Sequence, residues 1–330
     1  MRRRDFIKVI AGSAAGWPFA AHAELERVRR VGVLMGYAQD DPEGQARVAA
    51  LLEALKALGW EDGRNLQIEL RWASADIAQI SHFAKELVAF KPDLIVSNTT
   101  PVTAAVHRET TDIPIVFIIV SDPVGEGFVT SLSHPGRNIT GFINVEDTIG
   151  GKWLELLKEV APATSQAAMM FNPDTAPGGG SYFLAAFEAA GRAFSIKAAA
   201  APVHSEIEIE NTIASLAQEK NGGLIVMTDA YMTVHRHKII QLTDRERLPT
   251  VYPTSISARD GGLISYAPDY YDVFRRGAGY VDKILHGGSA SELPVQVPTK
   301  FELVLNLKAA KAIGIVVPAQ VIARADEVIE

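Results

Sequence analysis

Small polar residues stand directly after several apolar, β-branched segments of this chain. The clearest example is IPIVFIIV, residues 113–120, which runs into Ser121, Asp122 and Pro123. A hydroxyl donates and accepts hydrogen bonds, and a carboxylate accepts them or holds an ammonium group, so these residue types suit the polar end of a small molecule. The same pattern recurs after four further segments, at Asn98, Thr99, Thr100, Asn172, Asp174, Thr228, Asp229 and Tyr252.

Helix capping is a simpler explanation for any one of these positions. Thr100 and Asp122 can be N-caps, with Pro101 and Pro123 at the first helical position. The whole set favours ligand binding, because ligands of open α/β sheets bind outside the carboxyl ends of the strands, where helix N-termini offer free N–H groups to an anion. We therefore expect Ser121 and Asp122 on a cleft wall at a helix N-terminus, with Asp122 as both cap and ligand contact.

Aromatic residues lie beside the same segment ends and are expected to stack on the apolar body of a ligand. They are Tyr37, Phe142, Tyr231, Tyr252 and Tyr266. Two such rims facing each other across a cleft, with a hinge between them, would clamp a small molecule.

The apolar segments alternate with longer stretches of helical periodicity. In residues 43–58, for example, Val48, Leu51 and Leu55 fall on one helical face. This alternation indicates βαβ units, and therefore parallel sheets covered by helices on both faces. The ten strand candidates are 30–36, 66–70, 93–97, 113–120, 138–142, 166–171, 194–200, 222–228, 249–252 and 261–266. Because these are too many for one typical open sheet, the sequence predicts an α/β fold of two doubly wound parallel-sheet lobes.

Three segments are expected to cross between the lobes and to form a three-segment hinge. The chain leaves the first lobe near 141–147, returns near 266–269 and crosses again within the proline-spaced segment 290–306. The predicted limits are 24–142 plus 267–296 for the first lobe, and 143–266 plus 297–330 for the second.

The first 23 residues read as an export signal. MRRRDFIKVIAGSAAGWPFAAHA has a basic start, an apolar middle and the A-x-A cleavage pattern AHA, and its RRDFIK resembles a twin-arginine signal. The alternative, a basic amphipathic helix of the folded domain, is disfavoured by two glycines and a proline. Since no later apolar run reaches the roughly 18 residues of a membrane span, we expect an exported protein that is not embedded in a membrane.

Charge, cysteine content and motifs disfavour several classes of function. A net charge of −7 argues against nucleic acid as a partner. The absence of cysteine excludes disulfides, thiolate catalysis, Cys-ligated zinc, iron–sulfur clusters and lipid attachment through an N-terminal cysteine. No phosphate-binding G-x-x-x-x-G-K-[ST] and no G-x-S-x-G nucleophile motif occurs, and His235 and His237 stand two apart, on different faces of a helix. We expect no catalytic residue, no metal and no cofactor, although a triad of scattered residues stays open.

Long segments of the chain resemble one protein family. They include GRNLQIELRWA, SDPVGEGFVTSLSHPGRNITGF, KWLELLKEVAP and LPVQVPTKFELVLNLKAAKAIGIVVPAQVIARADEVIE. The whole chain is similar to the substrate-binding proteins of bacterial ABC importers, in the family of tryptophan- and tyrosine-type binding proteins. The resemblance implies a type I periplasmic-binding fold that closes on its ligand by hinge motion. It also implies a set of cleft-facing residues, namely 98–100, Ser121, Asp122, Asn172, Thr228 and Asp229.

The resemblance adds transport to the predicted clamp. It implies capture of a small molecule, an amino acid first, by a monomer that serves an ABC permease and its ATPase subunit. Together with the missing lipidation cysteine, it implies a periplasmic protein without a lipid anchor. An exported sensor that presents its liganded lobes to a membrane receptor is an alternative, because fold does not fix function, and an exported enzyme on the same scaffold is another. The loop after the first strand, residues 37–39, matches no fixed pattern of the family.

Overall fold

The β-branched segments form strands in the computed structural model, which describes residues 27–330; the expected export signal, 1–23, lies outside the described residues. The strands are β1 Arg29–Met35, β2 Leu66–Trp72, β3 Leu94–Asn98, β4 Ile115–Val120, β5 Ile139–Ile143, β6 Gln166–Phe171, β7 Lys197–Pro202, β8 Gly222–Val226, β9 Thr250–Tyr252, β10 Ile264–Pro268, β11 Phe301–Asn306 and β12 Glu327–Ile329. The α-helices are α1 Pro42–Ala57, α2 Ile77–Ala89, α3 Thr100–Glu109, α4 Ile149–Val160, α5 Ser181–Phe194, α6 Glu206–Gln218, α7 Ala230–Val234, α8 Arg236–Arg245, α9 Ser255–Arg259, α10 Tyr270–Leu285, α11 Leu307–Ala312 and α12 Ala319–Arg324.

The first sheet has the strand order β2-β1-β3-β4-β5, and its neighbouring strands are parallel. Strands β3, β4 and β5 are buried along their whole length. Their continuous apolar sequences follow from this burial, because a parallel sheet is covered on both faces. Helices α1 and α10 cover one face, and α2 and α3 cover the other. We call this sheet with its four helices the first lobe.

The second sheet has the order β12-β11-β10-β9-β8-β6-β7, and with its helices it forms the second lobe. From β7 to β10 the strands are parallel and repeat the order of the first sheet. The predicted α/β fold of two doubly wound lobes is therefore confirmed. The tail differs from the prediction, because β11 pairs antiparallel with β10 and β12 pairs parallel with β11. Residues 290–306 were expected to form only an extended connection, since spaced prolines hide the strand at its end.

Three connections between the lobes run side by side. The first connection follows β5, the second joins β10 to α10, and the third precedes β11. The Gln296 N–H donates to the Gly141 carbonyl oxygen at 2.9 Å, and the Asp269 N–H donates to the Lys300 carbonyl oxygen at 3.1 Å. Helix α10 follows a strand of the second lobe but packs on the first sheet. The residue limits given for the lobes, 24–142 plus 267–296 and 143–266 plus 297–330, stay a prediction.

Candidate functional site

A cavity lies between the two lobes, where the carboxyl ends of strands from both sheets meet. Its empty space, including the part open to solvent, is about 490 Å³. The lining includes residues one or two positions after β1, β3 and β4 in the first lobe and after β8 in the second. The lining residues are Gly36, Tyr37, Arg47, Thr99, Thr100, Pro101, Ile119, Ser121, Asn144, Thr175, Pro177, Thr228, Asp229, Ala230, Thr233, Thr254 and Tyr270.

Six of the thirteen residues predicted for the site line this cavity. They are Tyr37, Thr99, Thr100, Ser121, Thr228 and Asp229. They come together because the carboxyl ends of parallel strands share one edge of each sheet, and the two edges face each other.

Two further predicted polar residues, Asn98 and Asn172, lie just behind the lining, and the predicted Asp174 is an exposed neighbour of the lining residue Thr175. The Asn172 N–H donates to Asp229 Oδ2 at 2.9 Å, and Asn172 Oδ1 accepts from the Asp174 N–H at 2.8 Å. Asn98 is fully buried, and its Nδ2 donates to the Ile118 carbonyl oxygen at 3.1 Å. These residues hold the loops that carry the lining.

Asp122 does not cap a helix, and this part of the prediction is wrong. No helix begins at Pro123; the chain after β4 forms turns instead. Asp122 has a φ of 47°, and its Oδ1 accepts from the Gly125 N–H at 2.8 Å. Asp122 therefore closes a turn beside the cavity and is absent from its lining. The Thr100 cap is shifted by one residue, because Thr99 takes the N-cap position of α3 without a side-chain capping bond.

Four of the five aromatic residues expected to stack on the ligand are absent from the lining. The Tyr231 ring packs against His235, with ring centroids 4.2 Å apart. The Tyr252 hydroxyl lies 2.7 Å from the Thr243 hydroxyl inside the second lobe. Phe142 packs against Tyr280, with ring centroids 4.9 Å apart, under α10. The Tyr266 ring stacks on Phe301 at 5.4 Å. These rings bury apolar surface within the protein, because a position beside a strand end does not fix the direction of the side chain.

Arg47 was not among the predicted site residues; it is 1% exposed and lines the cavity from α1. Its Nε donates to Glu43 Oε1 at 2.8 Å and its Nη1 donates to the Tyr37 hydroxyl. The guanidinium lies over the rings of Tyr37 and Tyr270, 5.0 and 4.5 Å from their centroids. Burial alone would raise the pKa of Glu43, but the charge of Arg47 and hydrogen bonds from Tyr271 and Arg47 hold that pKa below its ordinary value.

Asp229 brings a buried carboxylate from the second lobe. Its Oδ1 accepts from the Met232 N–H at 2.8 Å and from the Thr175 hydroxyl at 3.1 Å. Burial raises the pKa of Asp229 to about 6, although these donors act in the opposite direction. The cavity therefore has an acidic group on one lobe and a guanidinium on the other.

Asn144 joins the two lobes at the first connection. Its Nδ2 donates to the Thr228 hydroxyl at 2.8 Å, and its Oδ1 accepts from the Tyr270 hydroxyl at 2.6 Å. Thr228 belongs to the second lobe and Tyr270 begins α10 on the first. Asn144 therefore bonds to residues of both lobes.

Two further contacts cross between the lobes. Arg236 Nη1 lies 2.6 Å from Asp41 Oδ2, and both side chains are buried. The Gly178 N–H donates to Glu126 Oε1 at 3.2 Å. Both contacts require the lobes to be close together.

Within residues 27–330, no helix is long and apolar enough to cross a membrane, and no group of three or more acidic or histidine side chains is placed to hold a metal ion. In the same region, His235 lies 3.3 Å from Glu206, and His237 lies 3.6 Å from Asp260.

Two solved structures share the fold of this chain. A domain from Streptococcus pneumonia in complex with L-Trp aligns with a TM-score of 0.82 at 23% identity, covering 91% of this chain and 99% of that one. A ligand-free, open substrate-binding protein with adhesive properties from Clostridium difficile aligns with a TM-score of 0.66 at 26% identity, covering 92% and 99%.

Sequence comparison identifies the family. A tyrosine-binding protein from Clostridioides difficile is 25% identical over 265 residues, which is 79% of this chain and 74% of that protein. Residues 39–329 match the family model described as ABC transporter substrate binding protein. The chain therefore belongs to the ABC transporter substrate-binding proteins, as its sequence predicts, and it binds a ligand rather than acting as an enzyme.

Proposed function

We propose that the protein captures an amino acid or a similar small metabolite between its lobes for an ABC importer. One observation carries the proposal: both lobes contribute the carboxyl ends of their strands to a single cavity. The presence of Arg47 and Asp229 in that lining suits a molecule with a carboxylate and an ammonium group. The tyrosine-binding relative and the L-Trp complex support an aromatic amino acid as the first ligand to test.

Hinge closure is part of the proposal. A ligand can enter only if the lobes separate, and the three adjacent connections are suited to such a motion. The contacts of Arg236 with Asp41 and of Gly178 with Glu126 require closed lobes. The higher TM-score with the L-Trp complex than with the ligand-free, open protein, despite its lower sequence identity, supports a closed arrangement here.

Calorimetric titration of residues 24–330 tests the ligand class. The panel is L-Tyr, L-Trp, an aliphatic amino acid and a sugar alcohol, and we expect one amino acid to bind with a stoichiometry of one. Asp229→Asn should weaken this binding, whereas Asp244→Asn, at an exposed position of the same lobe, should not. Binding of the sugar alcohol alone, or of nothing in the panel, would contradict the proposal. Native mass spectrometry of protein from its own host would show whether the bound molecule is intact.

We place the protein in the periplasm, where it would deliver its ligand to a permease driven by an ATPase subunit. The family supports the permease as partner, and RRDFIK supports twin-arginine export. Arg3→Lys with Arg4→Lys should leave an unprocessed chain in the cytoplasm of fractionated cells. Unchanged periplasmic accumulation would argue against this route. Crosslinking of the liganded protein to the permease would separate import from sensing.

A further inference from the structure

The Nη2 amino group of the buried Arg47 guanidinium is left unpaired among the residues that the structure describes. Nε is bound to Glu43 and Nη1 to Tyr37, whereas Nη2 has no hydrogen-bond partner among residues 27–330 and is shielded from solvent. A buried donor of a charged group is costly to leave unpaired. If the ion pair of Arg47 with Glu43 had only a structural role, Arg47 would not need to line a cavity. Arg47 does line the cavity between the lobes.

The guanidinium is held in place by its surroundings. Glu43 binds Nε through one oxygen and accepts from the Tyr271 hydroxyl through the other, at 2.6 Å. Tyr37 and Tyr270 lie along the guanidinium, and both also line the cavity. A donor fixed in this way is ordered before the ligand arrives, so that little conformational entropy is lost on binding.

The neighbouring N-terminus of α3 adds to the same preference for an anion. This helix has ten residues, its N-cap Thr99 makes no side-chain capping bond, and Thr99 Oγ1 is buried without a partner among the described residues. Thr99 and Thr100 line the cavity together with Arg47. The positive end of the helix dipole and the guanidinium therefore both favour negative charge.

The remaining charges limit the anion to a single negative charge. Glu43 already balances Arg47, and Asp229 adds a further carboxylate to the lining. A doubly charged phosphate would be repelled by both, whereas a carboxylate in a molecule that also carries an ammonium group would be matched. We infer that Arg47 Nη2 binds the carboxylate of the ligand, and that this contact restricts the site to carboxylate-bearing molecules. The inference rests on the proposed function and names the group that the site recognises.

The test compares acids with their neutral amides, which keep the shape and lose the anion. Wild-type residues 24–330 are titrated with L-Trp, L-Tyr and the two carboxamides. Loss of one charge-assisted hydrogen bond corresponds to about 10- to 100-fold weaker binding of the amide. Arg47→Met should bind acid and amide alike, and Arg47→Lys should keep part of the preference. Arg192→Met, at an exposed position of α5, should behave as the wild type.

The outcomes separate this inference from the proposed function. Equal binding of acid and amide by the wild type, or a full acid preference in Arg47→Met, overturns the role of Arg47 and leaves the proposed function intact. Failure of both ligand forms to bind the wild type, within a panel of amino acids, overturns both. If Arg47→Met does not fold, the wild-type comparison and Arg47→Lys decide, since neither requires the loss of a buried charge.

Discussion

The ion pair between Arg236 and Asp41 should stabilise the closed lobes, and removing it should weaken ligand binding. Arg236 begins α8 in the second lobe, and Asp41 caps α1 in the first. Their side chains are 3% and 9% exposed. Asp260 also pairs with Arg236, at 3.1 Å, but it belongs to the same lobe and stays with Arg236 when the lobes part. Of the two ion pairs of Arg236, opening therefore breaks only the one with Asp41.

The free energy that this pair contributes to closure is smaller than the free energy lost when one partner is removed and the other stays buried. Removing one partner of a buried pair costs about 3–5 kcal/mol, whereas exposed pairs contribute about 0–1 kcal/mol. Both side chains regain water on opening, so the desolvation penalty offsets part of their attraction. We expect about 1–2 kcal/mol in favour of closure, which corresponds to a rise in Kd of about 5- to 30-fold when the pair is removed.

The variants are chosen to leave the rest of the site intact. Asp41→Asn keeps a good N-cap, because Asn can still accept from the Glu43 and Gly44 N–H groups that Asp41 binds at 2.9 and 3.1 Å. Arg236→Gln and the double variant complete a cycle, measured by calorimetric titration and by the radius of gyration with and without ligand. Lys238→Gln is the matched control, since its pair with Glu206 lies within the second lobe.

Two results would refute this reasoning. One is a double-mutant cycle without coupling, in which the effects of Asp41→Asn and Arg236→Gln on the binding free energy simply add. The other is a rise in Kd for Lys238→Gln as large as that for Arg236→Gln, because a general loss of charge would then explain both.

Three further predictions concern Asp229, the turn at Asp122 and the packing of α4. Burial raises the pKa of Asp229 to about 6, so its carboxylate becomes protonated as the pH falls through that value. The affinity for an amino acid should therefore drop about tenfold per pH unit below 6. Titrations of Asp229→Asn from pH 5 to 8 should lack this dependence. Asp122→Ala should lower the free energy of unfolding in urea by about 1–2 kcal/mol, because it removes the turn contact at a residue with positive φ, and it should leave Kd unchanged. A higher Kd would indicate that Asp122 contacts the ligand. Gly150→Ala places a Cβ 2.4 Å from the Phe183 carbonyl oxygen and should lower the free energy of unfolding in urea by about 1–3 kcal/mol. Gly151→Ala, whose Cβ meets nothing closer than 3.3 Å, should be nearly neutral. Equal losses of stability in the two variants would contradict the packing argument.

The fold follows from the sequence because most of its strands are short, buried and regularly spaced. Segments such as 113–120 have no polar face, which only a strand covered on both sides allows. Strands β11 and β12 were not predicted, because the sequence around each of them gives only a weak strand pattern. β11 begins after a proline-rich connection, and β12 has three half-buried residues, so neither shows a period long enough to recognise.

The site was predictable only where the topology alone positions a residue. Ser121 and Thr228 line the cavity because they follow strands, and parallel strands end at one edge. Pro123 suggested a helix after β4, but the φ of 47° at Asp122 turns the chain, a conformation that Asp tolerates better than most residues. Arg47 lies in the middle of a helix on its apolar face, four residues after Glu43, and this spacing was the one available signal.

Two kinds of departure from local rules, backbone strain and unpaired buried atoms, occur in the lining of the cavity. Thr99 and Ile119 are β-branched residues with φ of 82° and 63°, a conformation that costs free energy and persists only where the surrounding structure enforces it. Both line the cavity. Two atoms buried without partners among the described residues, Arg47 Nη2 and Thr99 Oγ1, belong to the same lining. Strain and unpaired donors reduce stability wherever they occur, and three further atoms buried without partners in the described part of the chain, Asn98 Oδ1, Glu159 Oε2 and Ser265 Oγ, lie outside the lining. Thr99 and Ile119, however, are the two β-branched residues with positive φ within residues 27–330, and a ligand that binds Arg47 Nη2 would compensate for part of this cost at the cavity.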